Sequence, residues 1–108
     1  MRVLSIRRPY AEQILRGTKR IEYRGRATSI ISKRSYIYAS LNPGKPKEFE
    51  AMGLQPGDLP AEMLVGTAGI KSCTGRRGDY EWHLKSPRRL KRKVRPTKHP
   101  QPVWFNSF

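Results

Sequence analysis

Lys19, Glu22 and Arg24 have the types and the spacing for shared chemistry. Residues two apart on a strand lie on one face, so a strand through Ile21 puts Arg20, Glu22 and Arg24 together and turns Ile21 and Tyr23 the other way, into the core. A carboxylate among cations can hold them in place. On an open surface the same pairs are worth only ~0–1 kcal/mol each. Covered by a helix, Glu22 becomes the acidic floor of a basic groove. From spacing alone the solvated face is the preferred reading.

The elements that must position these residues lie just upstream. Leu4 and Ile6 alternate with Ser5 and Arg7, the period of a half-buried strand. Pro9 suits a first helical turn, where its missing N–H costs nothing. Tyr10, Ala11, Ile14 and Leu15 fall at helical spacing, and Gly17 after Arg16 reads as a left-handed C-terminal cap. Strand, short helix and second strand therefore bring the polar residues of Leu4 to Arg24 to one place.

Leu4-Ser5-Ile6-Arg7, Pro9-Tyr10-Ala11, Ile14-Leu15-Arg16-Gly17 and the Gly-x-Lys-x-x-Glu-x-Arg run at Gly17, Lys19, Glu22 and Arg24 together resemble the ASCH domain. The resemblance is dense over the first 24 residues and looser over Tyr36 to Thr74 and Tyr80 to Leu90. Where family members often carry Lys-Gly before a closing aromatic strand, this chain has Lys98-His99-Pro100-Gln101-Pro102. The resemblance implies a PUA-like β-barrel and an RNA-binding cleft between the first helix and the barrel. It assigns Lys19, Glu22, Arg24, Ser5 and Arg7 to that cleft. Some ASCH proteins are amidohydrolases of acylated cytidine, with a Lys, a Thr and a Glu in the site. Lys19 matches the lysine, but Glu22 stands where that branch has its threonine nucleophile, so that chemistry lacks its attacking group. Another subgroup shows ribonuclease activity, a metal-independent cut that needs a base near a 2′-hydroxyl and a cation for the phosphorane, for which Lys19, Glu22 and Arg24 are the candidate catalytic residues; a cluster that only positions a phosphate is the preferred reading.

The composition agrees with a nucleic-acid partner. The chain has 108 residues, 36% hydrophobic and 29% charged, and a net charge of +15. Its length suits a single domain over 1–108 with a modest core. The charge points to a polyanion, with RNA as the expected partner and single-stranded DNA as the second. One cysteine excludes an internal disulfide, and no apolar run is long enough to span a membrane. A soluble, cytoplasmic protein is the expectation.

The remaining chain reads as a small barrel of about six strands with one or two short covering helices, an α+β fold that is mostly β. Ser35 to Ser40 is a strand and Pro46 to Met52 a short helix capped by Gly53. A Met63-to-Cys73 strand contains Gly66 and Gly69, as in a strand bent by a bulge. Thr74 to Asp79 is a turn, and Tyr80, Trp82 and Leu84 alternate inward on the next strand. Val103 to Phe105 closes the chain as a last strand.

Two basic groups supply phosphate contacts. Lys85 to Lys98 holds eight Lys or Arg in fourteen residues, among them Arg88, Arg89, Lys91, Arg92 and Lys93, and no acidic residue follows Lys85. Such unrelieved charge destabilises the fold unless a partner offsets it. The second group, near the first helix, includes Arg7, Arg8, Arg16, Lys19, Arg20, Arg24 and Arg26. Adjacent in space, the two would form a continuous positive track. Tyr10, Tyr36, Tyr38 and Trp104 are candidates for stacking unpaired bases, although at least half of these rings are needed in the core. Anchoring to a large particle through the basic segment is a third reading.

Other chemistries lack their parts. One Cys and two distant His do not make a zinc site. Cys73 and His83 read as structural strand residues. No phosphate loop, dinucleotide fingerprint or serine elbow is present, so no cofactor or metal is expected.

Overall fold

The structure, a computed structural model, describes residues 2–95 and the backbone of 104 and 105. The elements in order are β1 (Val3–Arg7), α1 (Arg8–Arg16), β2 (Ile21–Arg24), β3 (Arg34–Ser40), α2 (Pro46–Ala51), a 3-10 turn (Pro56–Asp58), β4 (Met63–Arg76), β5 (Asp79–Val94) and β6 (Trp104–Phe105). The six strands form one sheet in the order β2-β5-β4-β3-β1-β6. Among the described residues only β1 and β3 pair in parallel, Val3 against Tyr36 through Arg7 against Ser40. The other ladders are antiparallel.

The expected barrel is not closed. Among the described residues β2 and β6 are the sheet's edges, and no ladder joins them. β2 nevertheless comes close to β1. The guanidinium of Arg24 donates to the carbonyl of Ser5 at 2.7 Å, a side-chain bond where a closed barrel would have backbone pairing. The described residues of β6 pair with Val3 and Leu4.

α1 forms where its proline, apolar spacing and cap predict. Pro9 stands in its first turn, and Gly17 has φ 82, the left-handed conformation that glycine adopts without a Cβ penalty. The Gly17 N–H donates to the Ile14 carbonyl at 3.0 Å and Thr18 N–H to Gln13 at 3.0 Å, satisfying the open helix end. Ala11 and Ile14 pack on Leu4, Ile6, Ile37, Ala39, Val65, Ile70 and Trp82. On the opposite face of the sheet Val3, Tyr38 and Leu64 form a smaller cluster with Tyr36 and Leu90. Alternation along β1 explains the division, since Val3 and Leu4 must point oppositely.

Three sequence-based expectations change. β2 is inverted: Glu22 is buried, whereas Tyr23 is 64% exposed and Ile21 half-buried. Glu22 lies opposite Trp82 of β5, which is 0% exposed, so both face the side that α1 covers. β4 runs on to Arg76 and β5 begins at Asp79, so the expected six-residue turn shrinks to residues 77 and 78. Finally, β5 does not end near Leu84. It continues to Val94 and carries the basic residues on a strand held against β4. The residues from 96 to 103, including Lys98 and the Lys-His-Pro-Gln-Pro segment, lie outside the described residues.

Candidate nucleic-acid interface

A cavity of about 550 Å³ opens where β2 approaches β1. Ser5 and Arg7 of β1, Tyr10 of α1, Lys19, and Glu22 and Arg24 of β2 all line it. These are the residues that spacing and resemblance grouped together. Tyr23, Ile6, Ser40 and Asn42 complete the wall. Ser40 and Asn42 arrive from the end of β3, which lies beside β1 only through the parallel pairing. No local sequence signal announces them.

Glu22 organises the floor. Arg24 Nη2 lies 2.8 Å from its Oε2 and Lys19 Nζ 3.7 Å from its Oε1. All three side chains are mostly shielded from water, so the two cations offset the cost of burying the carboxylate. Arg24 also binds the Ser5 carbonyl and lies over Trp82, its guanidinium carbon 5.9 Å from the ring centre. It is thus a fixed strut of the site. Its Nε is buried without a hydrogen-bond partner among the described residues. Lys19 is less constrained: its ammonium lies 5.4 Å from the Tyr10 ring centre and 5.2 Å from that of Tyr23, both within cation–π range.

The aromatic candidates separate sharply. Tyr38 is 2% exposed and belongs to the core, where burial raises its hydroxyl pKa, so it cannot stack on a base. Tyr36 packs on the same cluster. The Trp104 side chain lies outside the described residues. Tyr10 remains at the cavity, and Tyr23 joins it. Alternation with Ile21 predicts the Tyr23 ring on the core face, so sequence reasoning misses it. Its place between two charged residues, Glu22 and Arg24, was the available signal.

The basic residues separate too. Arg8 donates to the carbonyls of Pro56 at 3.1 Å and Leu41 at 3.0 Å, clamping the loops around α2, so its guanidinium is not a free phosphate ligand. Arg89 forms two hydrogen bonds with Glu12 of α1, each 2.9 Å, and Arg95 lies 3.9 Å from Glu62. The charge of the basic segment is therefore partly relieved within the protein, contrary to expectation. Arg89 and Glu12, with Lys91 and Lys93, line a different cavity of about 450 Å³. Arg88, Lys91, Arg92 and Lys93 are exposed. Arg20 is exposed and does not line the Glu22 cavity; it belongs to a further one behind Lys19. The basic residues line three different cavities, two of which share Lys19.

Cys73 faces Trp82 across the β4–β5 ladder, whereas His83 pairs with Ser72 and bonds Thr74 Oγ1 at 2.8 Å. They do not form a thiol–imidazole couple. Among the described residues no three His, Cys, Asp or Glu side chains gather to hold a metal. No helix among them is long and apolar enough to cross a membrane.

No curated protein matches the chain. Among protein families the ASCH domain matches residues 4–104, nearly its whole length, and that family is PUA-like and generally associated with RNA binding. With α1, the Lys19–Glu22–Arg24 triad and the cavity they border all inside the matched span, this chain belongs to the ASCH domain family.

Proposed function

We propose that the chain is an RNA-binding module that seats an unpaired base of a single strand in the cavity between β1 and β2. The curled sheet acts as a PUA-like barrel whose seam, spanned by Arg24 and Ser5, is the binding cleft. One observation carries this reading: Lys19 stands over buried Glu22 with the rings of Tyr10 and Tyr23 beside it, at the wall of a cavity of about 550 Å³. The volume lies in the range of small-ligand sites, and the rings offer stacking surfaces. Glu22 is an acceptor at the floor, so it suits a base that presents an N–H donor. Arg7 and Lys19 supply positive charge for the adjoining phosphates, and Arg88, Lys91, Arg92 and Lys93 on β5 add backbone contacts without sequence preference. Arg24 and Arg89 act structurally, through Glu22 and Glu12.

The triad favours positioning over catalysis. Both Glu22 oxygens face cations, and Arg24 is held at Glu22 and Ser5. The test is incubation of labelled single-stranded RNA, duplex RNA and single-stranded DNA with the protein in EDTA over a salt series, with Lys19→Ala alongside. Salt-sensitive binding of intact single-stranded RNA is the expected result. Cleavage that disappears in Lys19→Ala would replace the module with a ribonuclease. Absence of binding at low salt would overturn the reading.

A further inference from the structure

Lys19 borders two cavities. Behind it, away from Glu22, lies a second hollow of about 510 Å³. Lys19 and Arg20 from the corner before β2, Lys71 of β4, and His83 and Lys85 of β5 form its polar wall over an apolar floor of Ile14, Ile21 and Leu84. Among the described residues no carboxylate and no aromatic carbocycle lines it. Among the described residues Arg20, Lys71 and Lys85 have no carboxylate within ion-pair distance.

From this arrangement we infer a second site, for the phosphodiester backbone of the same RNA strand whose base occupies the Glu22 cavity. The inference rests on the proposed function and adds to it the place where the backbone of that strand is held beyond the Glu22 cavity. The two cavities differ chemically in the way this needs. The first offers tyrosine rings and a carboxylate acceptor, suited to a base. The second offers Arg20, Lys71 and Lys85 without a carboxylate partner, and among its described lining residues neither a tyrosine ring nor an acidic acceptor, which suits an anion. Lys19, shared by both, is the point over which the strand passes.

The fold aims the cations into this hollow. Ile70 pairs with Leu84 and Ser72 with His83, adjacent residues of β5, so Lys71 is the extra residue of a β-bulge. Bulges redirect a side chain out of the regular alternation. Lys85 pairs with Gly69, and a Cβ at Gly69 would stand 3.2 Å from Lys85 Cγ and 3.3 Å from its Cε. The aliphatic stem of Lys85 therefore lies along bare backbone, which lowers the entropy lost when its ammonium holds an anion.

The experiment compares the intact chain with Lys71→Ala/Lys85→Ala and Lys71→Arg/Lys85→Arg, using a labelled single-stranded RNA of about a dozen nucleotides over a salt series. Loss of two phosphate contacts should reduce the slope of log K against log salt by about 1.4, while the arginine pair keeps the original slope. Amide resonances of Lys71, Ser72 and Lys85 in the unaltered protein should shift when this RNA is added, a readout independent of how the variants fold. An unchanged slope in the alanine pair, or unmoved amides while RNA is bound, overturns the second site and leaves the module standing. If the unaltered protein binds no RNA at low salt, both fall.

Discussion

Arg89 on β5 and Glu12 on α1 lie 77 positions apart and meet through two hydrogen bonds of 2.9 Å each. The pair ties the helix to the far half of the longest strand. It also takes one cation out of a segment that looked entirely unrelieved. Arg16, at 2.8 Å, shares the same carboxylate from one helical turn away.

That relationship has a pH signature. The Arg89 hydrogen bonds hold the Glu12 carboxyl below the ordinary glutamate range, with Arg16 adding to the effect against burial. A depressed folded-state pKa contributes stability that is full above the ordinary glutamate value and fades as pH falls through the folded one. Glu12→Gln should therefore lower stability by about 1 kcal/mol at neutral pH, the modest scale being set by the half-exposed Arg89. The difference from the unaltered protein should close in acid. Thermal unfolding of both proteins across a pH series checks this, and a constant difference would contradict it.

Glu22→Gln should cost more, about 3 kcal/mol, because it leaves Lys19 and Arg24 in a shielded place without their counter-charge. Urea unfolding with an unchanged m-value measures the loss. In RNA binding the variant should relax discrimination among bases while keeping the salt slope, since Glu22 touches no phosphate in the proposed mode.

Tyr23→Ala should have the reverse profile. A ring 64% exposed contributes little to the core, so stability should stay within about 0.5 kcal/mol. Affinity for single-stranded RNA should fall by about 1–3 kcal/mol with the salt slope unchanged, and Tyr23→Phe should retain it. Fluorescence anisotropy with all three proteins decides whether this ring stacks.

Gly66→Ala tests the packing that seats α1. A Cβ there would collide with Leu15 of α1 and stand 2.5 Å from the Arg88 carbonyl. The side chain can turn aside, but the backbone of β5 cannot without breaking its ladder. Overpacking of this kind should cost about 1–3 kcal/mol. A fall in the thermal midpoint with Leu15→Ala failing to restore it would identify the backbone as the obstacle.

The sequence by itself determined the local pieces. Pro9, the spacing of Ala11 and Ile14, and Gly17 specify α1 through interactions within a few residues. The Lys19, Glu22 and Arg24 spacing already placed a carboxylate between cations. Period-2 alternation also separates Glu22 from Tyr23, but it does not say which face is core. Hydropathy chose the wrong one, because the decisive terms are long-range: α1 and Trp82 cover the Glu22 face, and two cations compensate the buried charge. Nor does a basic run without apolar alternation announce a strand; β5 reaches Val94 because β4 supplies its hydrogen-bond partners. The wall formed by Ser40 and Asn42, the pairing of Arg89 with Glu12 and the bulge at Lys71 all join distant segments. Only the tertiary structure decided these, since their energies exist only once the sheet has brought the segments together.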